Sequence, residues 1–383
     1  MAFTFHYFLR IGVAVVGTNV IAVTPVTAPL SYVHVADVQL ATDEESITLD
    51  LVRHGETVGS PSVVGGPAGE AVLPGPALDA TGQEQAQAVA QAIQAEYPNG
   101  IAGIYAGQDI RMPETAAPLA QMLDQPVQIL PGLNEIAGGI YYGDPLSSPG
   151  GILYELTLAA WAIGLEFVPM PGSPNSFNGV AFDESFGSAV QTIYDNTVSG
   201  SGPTTDVAIS GEAAITTWAL MNVNNPDLSI FLPLFFEEVL GEATILPDTG
   251  QVVVEGDPGD WTLVSFNGEP IPQDPGLLTE LFVDVRDLIM APQTAAYNIF
   301  ESLLTGDATT IENAIAAGVS EVATATAQFP VSVIDDIVNA LDGGTSSDLS
   351  TDLTNLLSTA ATDVSGLLPD ALGTTLAAAF MAP

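Results

Sequence analysis

Residues 47–57 read ITLDLVRHGET and set an arginine beside a histidine, Arg53-His54, in a chain that is nearly free of bases. The 383 residues hold four Lys plus Arg and three His against 46 Asp plus Glu. All four bases are arginines: Arg10, Arg53, Arg111 and Arg286. A neutral imidazole is a good nucleophile toward phosphorus. An adjacent guanidinium can hold phosphoryl oxygens in a bidentate grip. A glycine in the next position, here Gly55, lets the backbone turn and come close to an anion. The alternative is that Arg53 and Arg111 are ion-pair partners for carboxylates and that His54 is a hydrogen-bonded turn residue.

Such a site needs elements that place it. Ile47–Val52 has the apolar run of a buried strand, and residues just past a strand's carboxyl end line the ligand crevice of an α/β sheet. Asp79 is a helix N-cap for ATGQEQAQAVAQAIQAEY, which Pro98-Asn99-Gly100 closes. A second strand follows at 101–107, a helix over ETAAPLAQML and a third strand in VQILPGLNEI. Residues 144–180, rich in proline and glycine, read as an irregular insertion that shapes specificity and carries no basic residue. Beyond it come a helix over FDESFGSAVQTIYDN, a buried strand at 205–210 and a helix over AAITTWALMNV. A hairpin turns at Asp257-Pro258-Gly259-Asp260. Strands alternating with helices predict an α/β fold with a mostly parallel sheet. After the proline-marked linker GEPIPQDPG, apolar residues recur at helical spacing (Phe282, Val285, Ile289; Ile311, Ile315, Val319). This predicts a helical extension packed on itself or on the core. The organisation is thus a leader and spacer at 1–40, an α/β domain at 41–270 and an Ala/Thr-rich extension at 271–383.

The net charge of −42 arises from missing bases, because the carboxylate content is ordinary. Such a field repels nucleic acid and anionic lipid, so no nucleic-acid partner is expected, and a membrane only through the leader. It also slows an anionic substrate, so a phosphate site here needs local compensation. There is no cysteine, which removes disulfides and thiolate metal sites, and His6, His34 and His54 have no short ligand spacing. Neither metal nor organic cofactor is expected.

Over about residues 46–268 the sequence resembles the histidine phosphatase superfamily, the phosphoglycerate mutase-like fold with an R-H-G signature. LDATGQEQA (78–86) is similar to the family's helix start, YAGQDIRMPETA (105–116) to the segment with the second phosphate-holding arginine, and LNEIAGGIYYG (133–143) to the loop with the proton donor. The resemblance implies a three-layer sandwich and a phosphate monoester as ligand. It implies that His54 is the nucleophile, that Arg53 and Arg111 bind phosphate and that Glu135 is the acid. The family's second histidine is replaced in Ser210-Gly211-Glu212 by Gly211. Ser60 stands where an asparagine is usual and Ala106 where a serine is usual. Removing one preorganised donor to a transition-state anion typically costs ~10²–10³ in rate. The resemblance therefore implies a phosphate monoester hydrolase, working through a phosphohistidine and weakened in turnover. The alternatives are a non-catalytic phosphate-binding module and a structural cell-envelope protein, whose composition resembles exported actinobacterial wall proteins.

Arg10 precedes the apolar run Ile11–Val23, which suits a secretory h-region and falls short of the ~20 residues of a membrane span. Export is the expectation. Fractionation of cells expressing the full chain checks it: protein that stays in the cytoplasm, unaffected by deletion of residues 2–25, would discard it.

Overall fold

The computed structural model describes residues 45–58, 63–64, 73–240, 244–273 and 275–342. The leader segment and Ser60 lie outside the described residues. Seven strands form one sheet in the order β3-β2-β4-β1-β5-β6-β7. They are β1 (Ile47–Arg53), β2 (Gly103–Ala106), β3 (Val127–Ile129), β4 (Thr205–Ser210), β5 (Gln251–Asp257), β6 (Asp260–Phe266) and β7 (Glu269–Pro270). The four strands β3, β2, β4 and β1 run parallel, and β5 to β7 add an antiparallel edge. The turn between β5 and β6 is the expected Asp257–Asp260.

Alternation along β1 and β4 sends side chains to two faces. Val52, Val207 and Ile209 pack against α1 (Ala80–Glu96) and α2 (Arg111–Leu123), through Val89, Ile93, Met112 and Leu119. Leu49, Leu51 and Ala208 face the other layer, built by α3 (Pro149–Ala162), α4 (Gly179–Val198) and α5 (Glu212–Asn222). The result is the three-layer α/β sandwich. A helix α6 (Leu228–Leu240) follows α5. Neighbouring strands β1 and β4 thus feed helices on opposite faces, α1 and α5. Their carboxyl ends open the crevice in which α/β proteins bind ligands.

Two elements differ from the sequence reading. The 144–180 segment, expected to be irregular, contains α3. Ser148 caps it, accepting from Gly151 N at 3.2 Å, and Pro149 occupies the first turn, where its missing N–H costs nothing. Its Trp161 joins a run of ring contacts through Phe182, Phe186 and Trp218 to Trp261, which offsets the glycines at its start. Helix α6 has Pro233 inside it and no counterpart in the sequence reading.

The extension forms α7 (Leu277–Thr305) and α8 (Ala308–Asp342), which pack on each other. Helix α7 is also tied to the core. Buried Arg286 donates to the carbonyls of Leu220 (2.8 Å) and Val223 (3.0 Å) at the end of α5, and Gln293 bridges to Gly164 and Phe167.

Several carboxyl groups are buried in this frame without a cation. Burial pushes Asp50 up to about 7, with Gln251 and Tyr97 as hydrogen-bond partners. Burial likewise raises Asp206 to about 6 and Glu166 to about 8. A folded-state value above the unfolded one means the folded protein holds the proton more tightly. That stability is complete below about pH 4 and is lost as pH rises through 6 to 8. The melting temperature is expected to fall by roughly 5 °C between pH 5 and pH 8, and Asp50→Asn to flatten the slope. A melting temperature that rises over this range would contradict it.

Candidate active site

Arg53 ends β1 and His54 follows it, with His54 N donating to Ser210 O (3.0 Å) so that the two strand ends stay in register. The next residues explain their glycines. A Cβ on Gly55 would lie 2.7 Å from Gly82 O, and one on Gly82 would lie 2.0 Å from Glu56 O. The first turn of α1 therefore packs directly on the loop after β1, held by Asp79 capping Gly82 N at 2.8 Å. Gly55 N donates to Thr115 Oγ1 (3.0 Å), which in turn donates to Arg111 O (2.7 Å), and this joins the start of α2 to the same loop.

His54 is buried, and its Nδ1 is 2.9 Å from Gly55 O. A carbonyl oxygen only accepts, so Nδ1 carries the proton and Nε2 keeps its lone pair. Burial, then the charges of Arg111 and Arg53, hold the imidazole well below its usual pKa. It is therefore neutral at physiological pH, a requirement for a nucleophile.

Arg53 is enclosed by acceptors. Its Nη1 pairs with Glu212 at 2.7 Å and also donates to Thr244 Oγ1 (3.1 Å) and the carbonyl of Leu246, while Nη2 reaches Asp248 at 3.2 Å. Its Nε is buried with no hydrogen-bond partner among the described residues. Arg111 is fully buried and pairs with Asp109 at 3.4 Å. The structure brings Arg53, His54, Arg111 and Glu135 into one neighbourhood, since His54 senses both arginines and Glu135 senses Arg111. Ala106 ends β2, buried in the layer of α1 and α2. Sequence reasoning missed the acceptors on the 244–248 loop. Glu212 is turned onto Arg53 and accepts from Leu246 N (2.8 Å).

Glu135 occupies the space that a side chain at 211 would fill. Its Oε1 accepts from Ile136 N and Ala214 N, both at 2.8 Å, so it caps α5 from outside the helix. A Cβ on Gly211 would lie 1.9 Å from Glu135 Oε2 and 2.4 Å from its Cδ. The backbone itself is ordinary, with φ −100°. A histidine at 211 is therefore opposed by Glu135, with no conformational demand from the main chain. Burial raises the Glu135 carboxyl, its two backbone donors and Arg111 pull it down, and Glu212 adds to the rise. Among the described residues no group of three or more His, Asp or Glu is arranged to hold a metal ion.

The histidine phosphatase superfamily (branch 1) model matches residues 49–170. A PE-PGRS family protein of Mycobacterium tuberculosis is 45% identical over 304 residues, 77% of this chain and 49% of that protein. The chain thus spans about half the length of that curated relative. Among solved structures, a mycobacterial glucosyl-3-phosphoglycerate phosphatase is 17% identical over 58% of this chain and 99% of that one, with a TM-score of 0.41. A phosphoglycerate mutase from Bacillus anthracis is 17% identical over 59% of this chain and 94% of that one, with a TM-score of 0.42.

The contact between Glu135 and Gly211 generates a prediction. Gly211→Ala is expected to push the Glu135 carboxyl off Ala214 N and to cost about 1–2 kcal/mol, the usual price of a lost N-cap. Urea unfolding of the variant measures it, and unchanged stability would mean that Glu135 does not cap α5 in solution.

Proposed function

We propose, on the premise that residues 49–170 belong to the histidine phosphatase superfamily, that this chain binds phosphate monoesters and hydrolyses them through a phosphohistidine. The observation that carries this reading is the state of His54: neutral, with Nδ1 committed to Gly55 O and Nε2 free, in the field of the buried Arg111 and the half-buried Arg53. The buried Arg53 Nε supplies a further donor for an anion.

In this mechanism His54 Nε2 attacks phosphorus in line and the bond from phosphorus to the ester oxygen breaks. The leaving alkoxide takes a proton from the Glu135 carboxyl, whose pKa burial raises. Glu135, now ionised, removes a proton from water as the water attacks the phosphohistidine, and orthophosphate departs with His54 restored. Arg53 and Arg111 offset the charge on the phosphoryl oxygens throughout. No histidine follows His54 in the sequence, so turnover runs without the family's second donor. Export through residues 1–40 is part of the same proposal and rests on the apolar run behind Arg10.

Mixing the purified chain with a ³²P-labelled aryl phosphate and quenching in alkali is expected to trap label on the wild type and none on His54→Ala. Arg53→Ala and Arg111→Ala should each weaken vanadate binding by about 1.5–3 kcal/mol, the range for hydrogen bonds to charged groups. Vanadate binding without any trapped label would support a non-catalytic binding module in place of the hydrolase. Unchanged vanadate affinity in both arginine variants would discard the shared pocket.

A further inference from the structure

The hairpin of α7 and α8 is apolar and uncovered on one side. Its seam runs past Gly318 of α8, where an added Cβ would lie 3.0 Å from Ala295 Cβ and 3.4 Å from Ile299 Cδ1 of α7. At about 100° per residue, Val285, Phe300 and Leu303 sit roughly 80–140° round α7 from Ala295. Ile315, Val319 and Ile334 sit roughly 60–160° round α8 from Gly318, turning the same way. In two antiparallel helices, equal turns from the seam arrive on the same side of the pair. All six side chains are exposed, from 44% at Val285 and Ile315 to 63% at Val319. Glu312, near the start of α8, is the charged residue on this side among the described residues. The opposite side carries exposed Asp287 and Glu301 on α7 and exposed Glu321 and Gln328 on α8. Apolar residues gathered on one side and charges on the other are the mark of a helix pair built to cover one side with a further element.

Residues 343–383 lie outside the described residues, and their sequence supplies such an element. In LSTDLTNLLSTAATDVSGLL (349–368), Leu349, Leu353, Leu356, Leu357, Val364 and Leu367 recur at helical spacing within an arc of about 100°. The remaining positions are mostly Ser, Thr, Asp and Asn. Asp348 precedes the run as an N-cap residue and Pro369 follows it as a stop. As a helix the run would be about 30 Å long, the same as the stretch of α8 from Ile315 to Ile334. The linker 343–348 can extend about 20 Å, enough to return to the level of Ile334 and cross the ~8–10 Å between packed helices. So short a tether gives an effective concentration on the order of millimolar, which favours this segment over a second copy. The acidic charge of the chain disfavours an anionic membrane surface as the cover.

We propose that residues 349–368 form a helix antiparallel to α8 and lay their leucine stripe into the apolar side of the α7–α8 hairpin, completing a three-helix bundle. The linker sets the direction: the segment leaves the C-terminal end of α8 and passes Ile334, Val319 and Ile315 in that order. Leu349 comes beside Ile334, and Val364 beside Val319. Arg286 ties α7 to the end of α5, so the bundle is anchored on the α/β domain.

The chain has no cysteine, so introduced pairs report on this contact without background. In the full chain, Val319→Cys with Val364→Cys is expected to be joined within one molecule by a short bismaleimide. Glu321→Cys with Val364→Cys, whose first position faces the polar side, should be joined at least about tenfold less. Hydrogen exchange gives an independent reading. The amides of 349–368 are expected to exchange at least about a hundredfold more slowly than in a free peptide of that sequence. Leu353→Asp/Leu357→Asp, and separately Val319→Asp on the receiving side, should abolish this protection while the amides of β1 and β4 stay protected. Fast exchange of 349–368 in the native chain overturns the docking. Protection that survives Val319→Asp, or equal joining of the two cysteine pairs, also overturns it. Protection or joining that grows with protein concentration assigns this side to a second copy and overturns the intramolecular bundle.

Discussion

Helix α5 is held at each end by charge that suits its dipole, and the architecture around the site depends on it. At its N-terminus the carboxylate of Glu212 pairs with Arg53 and Glu135 accepts from Ala214 N. At its C-terminus Arg286 donates to the carbonyls of Leu220 and Val223. Negative groups at the first turn and a cation at the last are the favourable arrangement. Two of the three arginines in the described residues are thus spent on one helix. Through it the end of β1, the 244–248 loop and α7 are joined, so the site and the extension share a single support.

The scarcity of bases governs how the remaining acids are buried. With almost no cations to pair with, interior carboxyls are stabilised by amides, hydroxyls and backbone N–H groups, or by keeping their protons. Asp50 illustrates the first and second at once, held by Gln251 and Tyr97 and raised to about 7. A buried neutral acid costs far less than a buried unpaired charge. The same economy explains why Glu135 rests on the open N-terminus of α5: two backbone donors stabilise it where no lysine or second histidine is at hand.

What the sequence disclosed and what it withheld divide along a physical line. The position of Arg53 and His54 was legible because a buried strand followed by a turn is a local pattern, and Asp79 announced α1 by its capping chemistry. Helix α3 was hidden by Pro149, Gly150 and Gly151, although Ser148 followed by proline is also a helix start. Its apolar residues point in several directions, with Tyr154 and Trp161 buried and Leu153 and Leu156 exposed, so no clean period appears. Helix α6 is long, apolar and broken in pattern by Pro233. The contact between Glu135 and Gly211 joins residues far apart in the chain, which no local rule could mark before the packing is known.

His54 and Arg53 answer to different neighbours. The tautomer of His54 is set by a backbone carbonyl, not by how many nearby carboxyls are ionised. The ion pairs of Arg53 do depend on those carboxyls. Glu212 and Asp248 hold Arg53, keeping the guanidinium oriented and its charge compensated. Of the two, Glu212 is the one that can yield, because Leu246 N and the start of α5 still stabilise it. The ion pairs around this one arginine are therefore exchangeable, and any anion reaching it would compete with carboxylates already in place.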